Sequence, residues 1–127
     1  MDFSSNNAIY IQIAEYICEN IILKKWNTGE RIPSVRELSD TLKVNPNTIM
    51  KTFTFLQEKE IISNRRGIGY FVSDAGFSNA RNYKKEKFIN TDLENFFNSV
   101  YLLNIDFNDL KNIYEDFRAK FEKDKQA

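Results

Sequence analysis

The chain contains 127 residues, of which 42% are apolar and 14% aromatic, enough for one packed domain or for a small domain with an appendage. Its 18 basic and 18 acidic residues give a formal net charge of zero, so the overall charge gives no argument for nucleic acid binding. Histidine is absent, which removes the commonest general base and metal ligand, and we therefore expect no catalytic, metal or cofactor site.

Two further features bear on the cellular compartment. The single cysteine, Cys18, excludes an internal disulfide framework, and its place in a helical pattern favours a packed residue over a reactive thiol. No apolar run approaches the ~20 residues of a membrane span, and no basic segment followed by an apolar one opens the chain. The sequence therefore predicts a cytoplasmic protein without a membrane segment.

The first predicted helix covers residues 9–23, where apolar side chains recur at mixed spacings of three and four. The sequence "NTGERIPS" then ends the helix, because Gly29 favours a turn and Pro33 disfavours helical geometry in the residue before it. Ser34 followed three residues later by Glu37 is a capping-box pattern, which predicts a helix of about two turns over "VRELSDTL".

The third predicted helix begins within "VNPNTIMK", and its start is strongly specified. Asn45 is a good N-cap residue, and Pro46 suits the first helical position because its missing N–H is not needed there. Ile49, Phe53 and Leu56 follow at spacings of four and three, which predicts the buried face of this helix.

Two short β-prone runs in "IISNRRGIGYFVS" flank a glycine-containing loop, which predicts a β-hairpin with arginines at its tip. Two helices joined by a tight turn and followed by a β-hairpin form the winged helix-turn-helix arrangement. The sequence therefore predicts a mainly α fold with a small β wing, and it places this winged helix-turn-helix domain at residues 1–75.

Residues 76–127 are predicted to be helical. The stretch after Gly76 lacks glycine and proline, which predicts one long helix, bent near Asn90 or Thr91. Asp106 and Asp109 then favour the start of a last helix with an apolar stripe. The only predicted linker, "SDAG" at residues 73–76, spans the boundary between this segment and the domain before it.

The predicted third helix fits double-stranded DNA. Its first turn offers free N–H groups and the positive end of the helix dipole, and asparagine can hydrogen-bond adenine in the major groove. Local charge supports this, since residues 43–72 contain five basic and two acidic residues, a balance of +3. Glycines beside Arg65 and Arg66 would allow the hairpin tip to lie close to a DNA backbone or in a minor groove.

Several motifs together resemble one protein family. The Tyr-x-Gln-Ile opening, Pro-Ser-x-Arg-Glu-Leu, Val-Asn-Pro-Asn-Thr and Gly-x-Gly-x-Phe-Val are similar to the N-terminal domain of GntR-family bacterial transcription regulators. The Asn-Pro-Asn-Thr variant and a tail of only about fifty residues resemble the YtrA-type subfamily. The resemblance implies a DNA-binding regulator, with DNA contacts by motif position at Arg36, Asn45, Asn47, Thr48 and Gly67.

Three residues found from the local charge complete the predicted DNA-binding set. Lys51 is expected to contact a phosphate, and at least one arginine of the hairpin tip is expected to contact DNA. The full set is Arg36, Asn45, Asn47, Thr48, Lys51, Arg65, Arg66 and Gly67. Each also has a simpler explanation: Asn45 could serve only as a cap, Gly67 only as a turn residue, and the charged side chains only as solvated surface.

The sequence departs from the family pattern at several positions. Many relatives have glycine where Lys24 and Glu60 stand, and a left-handed conformation there would cost roughly 1 kcal/mol in local strain. Many have arginine where Pro46 stands, so that base contact is not transferred to this chain. The usual threonine of the wing is Tyr70 here.

The C-terminal segment is rich in aromatic residues. Two helices are too few to enclose a sizeable cavity, so its apolar stripe favours pairing with a second copy as a two-helix dimerisation hairpin. The predicted dimerisation residues are Phe96, Phe97, Val100, Leu110, Ile113, Tyr114, Phe117 and Phe121. We therefore expect a homodimer, most simply a repressor that binds an inverted-repeat operator, with any small-molecule effector unknown.

Two other function classes are alternatives to a DNA-binding regulator. A winged-helix domain used for protein–protein assembly would be expected to have an acidic or apolar wing, whereas this wing carries Arg65 and Arg66. An enzyme is disfavoured by the absence of histidine and of a metal-ligand cluster, although scattered carboxylates leave acid–base chemistry open in principle.

Overall fold

The computed structural model describes residues 8–126, which form six α-helices, one π-helical segment and one two-stranded antiparallel sheet. In chain order the elements are α1 (Ile9–Ile22), α2 (Val35–Leu42), α3 (Pro46–Glu58), β1 (Ile62–Arg65), β2 (Gly69–Val72), α4 (Gly76–Lys87), the π-helical segment (Phe88–Asp92), α5 (Leu93–Leu102) and α6 (Phe107–Gln126). The prediction of a mainly helical fold with a small β wing is therefore confirmed.

The core of the N-terminal unit is built on α1 and α3. The predicted buried face of α3 is confirmed, since Ile49, Phe53 and Leu56 are all fully buried. The pattern did not identify Thr52, which is also fully buried and donates its hydroxyl to the Tyr10 carbonyl at 2.8 Å. This hydrogen bond gives the buried hydroxyl a partner inside the core, and it fixes α3 against α1.

The two helix starts predicted from capping residues are both present. The Ser34 hydroxyl accepts the Glu37 N–H at 3.1 Å, and Glu37 Oε1 accepts the Ser34 N–H at 3.2 Å. The hydrogen bond from the Ser34 backbone lowers the pKa of the Glu37 carboxyl. At the start of α3, Asn45 Oδ1 accepts the Asn47 N–H at 2.8 Å, and Pro46 occupies the first helical position.

The wing contains more than the predicted hairpin. Strands β1 and β2 pair from Ile62–Val72 to Arg65–Gly69. On the other side of β2, an extended segment before α2 adds backbone hydrogen bonds, including Ile32 N–H to Tyr70 O at 2.9 Å, and a bridge from Arg31 to Phe71. Thus β2 is the central strand of the wing, a feature that the sequence pattern did not predict.

Helix α4 packs on the N-terminal unit. Ala80 is fully buried, and Lys84 Nζ lies 3.4 Å from a carboxylate oxygen of Glu19 on α1. At Gly76 an added Cβ would lie 2.6 Å from the Ile61 carbonyl oxygen, so the start of α4 lies close against the backbone. The chain accordingly divides into two compact units after Glu86.

The sequence analysis placed the domain boundary after residue 75. The difference arises because Phe77, Ala80 and Tyr83 of α4 pack against the N-terminal core, and such contacts between distant parts of the chain are not revealed by a local pattern. The assignment of one domain to DNA binding and of the C-terminal segment to dimerisation stays a prediction.

The C-terminal unit, from Lys87 onward, contains the π-helical segment, α5 and α6. The π-helical segment lies where a bend was predicted in one long helix. The predicted cap of the last helix is confirmed, because Asp106 Oδ1 accepts the Asn108 N–H at 2.8 Å. Phe97 on α5 and Phe107 on α6 contact each other with ring centroids 6.0 Å apart, which joins the two helices.

Cys18, which the sequence assigned to packing, is found in that role, and Trp26 also packs within the fold. Cys18 is fully buried, and burial raises the pKa of its thiol to about 12. Trp26 is half-buried and contacts Tyr16 edge to face, with ring centroids 6.3 Å apart.

Neither a membrane helix nor a metal cluster is found in the described part of the chain. No helix within residues 8–126 has the length and apolar character needed to cross a bilayer. Over the same residues, no group of three or more histidine, cysteine, aspartate or glutamate side chains is arranged to hold a metal ion.

Non-glycine residues adopt the left-handed conformation at the ends of helices. Lys24 and Glu60, where glycine is usual in the family, have φ values of 60° and 57°, so the conformation whose cost the sequence analysis considered is present at both. Lys43 and Asn104 also have positive φ, at 57° and 52°. Each such residue brings its Cβ close to the following carbonyl oxygen, a strain that glycine would avoid.

We predict that Glu60→Gly stabilises the protein. Removing the Cβ should relieve the left-handed strain and raise the free energy of unfolding by about 1 kcal/mol. The matched control is Glu58→Gly, which places the same substitution in helical backbone and should instead lower the free energy of unfolding by up to about 1 kcal/mol. Denaturant unfolding of both variants measures the two signs, and equal destabilisation would contradict the strain argument.

Candidate nucleic-acid interface

The start of α3 presents side chains to solvent while its backbone donors are occupied. Pro46 has no N–H, the Asn47 N–H is bound by the Asn45 side chain, and the Thr48 N–H donates to the Asn45 carbonyl at 2.9 Å. The expectation that free N–H groups in this turn would meet DNA is therefore wrong. Any contact between this turn and DNA therefore depends on the exposed Asn47 side chain, the half-buried Thr48 and the helix dipole.

A short connection places α2 against this helix start. Helix α2 ends at a left-handed Lys43, and the Ser39 hydroxyl donates to the Val44 carbonyl at 2.6 Å. Only three residues, Lys43 to Asn45, separate the two helices. This tight connection fixes α2, whose first turn carries the exposed Arg36, beside α3, as a helix-turn-helix requires.

Lys51 lies one turn after the start of α3 and contacts a residue that the sequence analysis did not identify. Its ammonium lies 4.2 Å from the centroid of the Tyr10 ring, a cation–π contact. Tyr10 in turn contacts Phe55 edge to face at 6.1 Å. Tyr10 belongs to the Tyr-x-Gln-Ile motif, but its contact with α3 could not be found from spacing along the chain.

The wing carries the remaining predicted residues. Arg65 and Arg66 are exposed, and the Arg65 guanidinium lies 4.2 Å from the centroid of the Phe71 ring. Gly67 has φ of +80° with open space where a Cβ would be, so its backbone conformation rather than crowding requires glycine. Arg31 also reaches this hairpin, which the sequence analysis did not predict.

All eight predicted DNA-binding residues thus lie in the N-terminal unit, and all except Thr48 are exposed. They occupy three neighbouring parts of one fold: the first turn of α2, the first two turns of α3 and the tip of the wing. Which of them contact DNA stays a prediction.

The C-terminal unit carries a second candidate surface on α6. Ile113, Tyr114 and Phe117 expose 62%, 58% and 60% of their surface. An apolar groove of about 470 Å³ is lined by Phe96, Phe107, Leu110, Lys111, Ile113, Tyr114 and Phe117. Of the other predicted dimerisation residues, Phe97 and Phe121 are exposed, whereas Val100 is buried within the chain itself.

Comparison with known proteins agrees with the motifs. The family described as bacterial regulatory proteins, gntR family, matches residues 9–72. YhcF, an HTH-type transcriptional regulator of Bacillus subtilis, is 40% identical over 72 residues, which cover 57% of this chain and 60% of YhcF. YtrA, an HTH-type transcriptional repressor of the same species, is 35% identical over 74 residues, which cover 58% of this chain and 57% of YtrA. The chain therefore spans about 60% of the length of these curated relatives.

A solved structure extends the similarity beyond the N-terminal unit. A GntR-family transcriptional regulator from Bacteroides thetaiotaomicron is 37% identical, with a TM-score of 0.69, and the match covers 89% of this chain and 98% of that one. These relatives are all described as transcriptional regulators or repressors. With the winged helix-turn-helix observed and the family matched over residues 9–72, the chain belongs to the gntR family of bacterial regulatory proteins.

Proposed function

We propose that this protein is a homodimeric transcriptional repressor that binds double-stranded DNA with sequence specificity. The observation that carries the proposal is the exposed, capped start of α3 beside a wing tip with two exposed arginines, in a chain of the gntR family. Because a bacterial regulator meets DNA in the cytoplasm, we also propose that compartment.

Specificity is assigned to side chains in the first turn of α3. The N-terminal turn of the second helix of a helix-turn-helix enters the major groove, where base edges differ in their hydrogen-bonding groups. Since the backbone donors of this turn are occupied, Asn47 and Thr48 are the groups left to distinguish bases. The Asn45 side-chain oxygen is occupied by the cap, so we assign Asn45 mainly to stabilising the helix start and only secondarily to contacting a base.

Lys51 is assigned to a phosphate. Its ammonium lies over the Tyr10 ring, 4.2 Å from the ring centroid, and has no carboxylate partner among the described residues. A lysine contributes a point charge, and a phosphate contact of this kind carries no sequence information.

The homodimer is assigned to the C-terminal unit. Its exposed apolar stripe on α6 and the groove beside it form a surface that is costly to leave in water, and a second copy would cover both by two-fold symmetry. A two-fold dimer has two copies of α3, which predicts an inverted-repeat operator. The repressor role is proposed by similarity to YtrA, which is described as a repressor.

We predict that Asn47→Ala and Lys51→Ala weaken DNA binding in different ways. Asn47→Ala should cost ~1–3 kcal/mol on the preferred site and little on random DNA, because a base contact is lost. Lys51→Ala should weaken both alike and lower the slope of log K against log salt by about one, because a phosphate contact is lost. Fluorescence anisotropy on a site selected from random DNA, at several salt concentrations, measures both.

The two variants serve as controls for each other, since both side chains are exposed on the same helix. Equal loss for Asn47→Ala on the selected site and on random DNA would exclude its base-reading role. A wild-type protein that binds no duplex at low salt would exclude DNA binding and leave a protein-interaction module as the alternative.

We predict that Phe117→Asp separates the dimer into monomers, because it places a charge in the middle of the exposed apolar stripe of α6. Ala119→Asp is the matched control, since this exposed residue lies about 200° around the helix from Phe117 and receives the same charge. Sedimentation velocity should show monomers only for Phe117→Asp. A dimer that persists in Phe117→Asp would show that the interface lies elsewhere.

A further inference from the structure

The outer face of the wing brings residues of the hairpin together with Arg31, which is not among the predicted DNA-binding residues. Directly paired residues of antiparallel strands lie on the same face, as do alternate residues of one strand. The pairs Arg65–Gly69 and Ser63–Phe71, and the bridge Arg31–Phe71, therefore define one face. We call this set the outer wing face; it consists of Arg31, Ser63, Arg65, Gly69 and Phe71.

Two arginine side chains cross over β2 on this face in opposite directions. Arg65 pairs with Gly69 and places its guanidinium 4.2 Å from the Phe71 ring centroid. Arg31 pairs with Phe71 and extends over Gly69, where its Nε would lie only 2.8 Å from an added Cβ. Gly69 and Phe71 are two residues apart, roughly 7 Å along a strand, so both side chains converge on a short stretch of β2.

Glycine at position 69 makes this arrangement possible. A Cβ there would displace the Arg31 side chain, and the φ of +145° also disfavours other residues. Gly67 is different, since a Cβ there would meet open space and only its φ of +80° requires glycine. The second glycine of the Gly-x-Gly motif therefore has a role in this chain beyond the hairpin turn, which is to leave room for Arg31.

The converging arginines lack an acidic partner. Over residues 8–126, the salt bridges are those of Lys84 with Glu15 and Glu19, and neither Arg31 nor Arg65 takes part in one. Arg31 does influence one carboxylate, Glu37, whose pKa is lowered mainly by hydrogen bonds from Ser34, with a smaller effect of Arg31. The outer wing face thus carries positive charge that the fold does not neutralise.

The chemistry of this face fits a phosphate. A guanidinium is planar and donates paired hydrogen bonds that match phosphate oxygens, and the cation–π contact with Phe71 restrains the position of the Arg65 guanidinium. Arg31 lies between two parts of the proposed DNA interface, the wing and the first turn of α2 with Arg36. We propose that Arg31 and Arg65 form an arginine pair that binds the phosphate backbone of duplex DNA, an inference that rests on the proposed DNA binding.

The test is the salt dependence of binding to a fluorescein-labelled duplex of mixed sequence, measured by anisotropy. Arg31→Ala should lower the slope of log K against log salt by about one, and Arg31→Ala with Arg65→Ala by about two. Because phosphates carry no sequence information, the loss should be the same factor on a selected site and on mixed DNA. Arg31→Gln keeps most of the side-chain length without the charge and should give the same slope as Arg31→Ala.

Arg81→Ala is the matched control. Arg81 is also exposed and its guanidinium lies 4.7 Å from the Phe77 ring centroid, but it is on α4, outside the proposed interface. Its slope should equal that of the wild type. Thermal unfolding of Arg31→Ala and Arg31→Gln checks that both variants are folded. Because the Arg31 side chain is exposed, both should keep the wild-type unfolding midpoint.

The outcomes separate the two proposals. A wild-type protein that binds no duplex at low salt would overturn the proposed function together with the arginine pair. Wild-type binding with an unchanged slope in Arg31→Ala and Arg31→Gln would overturn the arginine pair alone. Slopes lowered equally by Arg31→Ala and Arg81→Ala would also overturn it, because the effect would then come from overall charge.

Discussion

The attachment of α3 to α1 is the constraint on which the rest of the N-terminal unit depends. One face of α3 is buried through Ile49, Phe53 and Leu56, and Thr52 uses its hydroxyl to bind the backbone of α1 at Tyr10. A helix anchored along one side in this way must present its other side and its N-terminal turn to solvent. The same contact surface therefore provides stability and determines which residues are available to a partner.

Local features of this fold could be predicted from the sequence, because their causes lie within a few residues. The caps at Ser34 and Asn45 depend on side chains two or three residues from the N–H groups they bind. The motif positions at helix ends identified Lys24 and Glu60 as places where glycine is usual, and both have left-handed backbone. Contacts such as Lys51 on Tyr10 and Arg31 over Gly69 could not be predicted, since they join residues far apart in the chain and depend on tertiary packing.

The structure also changes how the start of α3 should be understood. The sequence analysis treated one turn as both a cap and a source of free backbone donors. Because Asn45 binds the Asn47 N–H and Pro46 has none to offer, a well-capped helix start leaves few donors for an anion. Rigid capping and anion binding by the backbone therefore compete at this site, and under the proposed function the cationic side chains nearby would supply most of the affinity for DNA.

The charges of this unit are also insensitive to pH near neutrality. The chain has no histidine, and burial raises the pKa values of Cys18 and Tyr83 to about 12, while the Ser34 hydrogen bonds lower the pKa of Glu37. Each of these shifts moves the pKa of the group further from neutral pH. The Lys59 ammonium lies 5.0 Å from the centroid of the Tyr83 ring, a cation–π contact with the neutral phenol. Electrostatic attraction to a phosphate backbone would therefore vary with ionic strength, which screens fixed charges, and little with proton concentration.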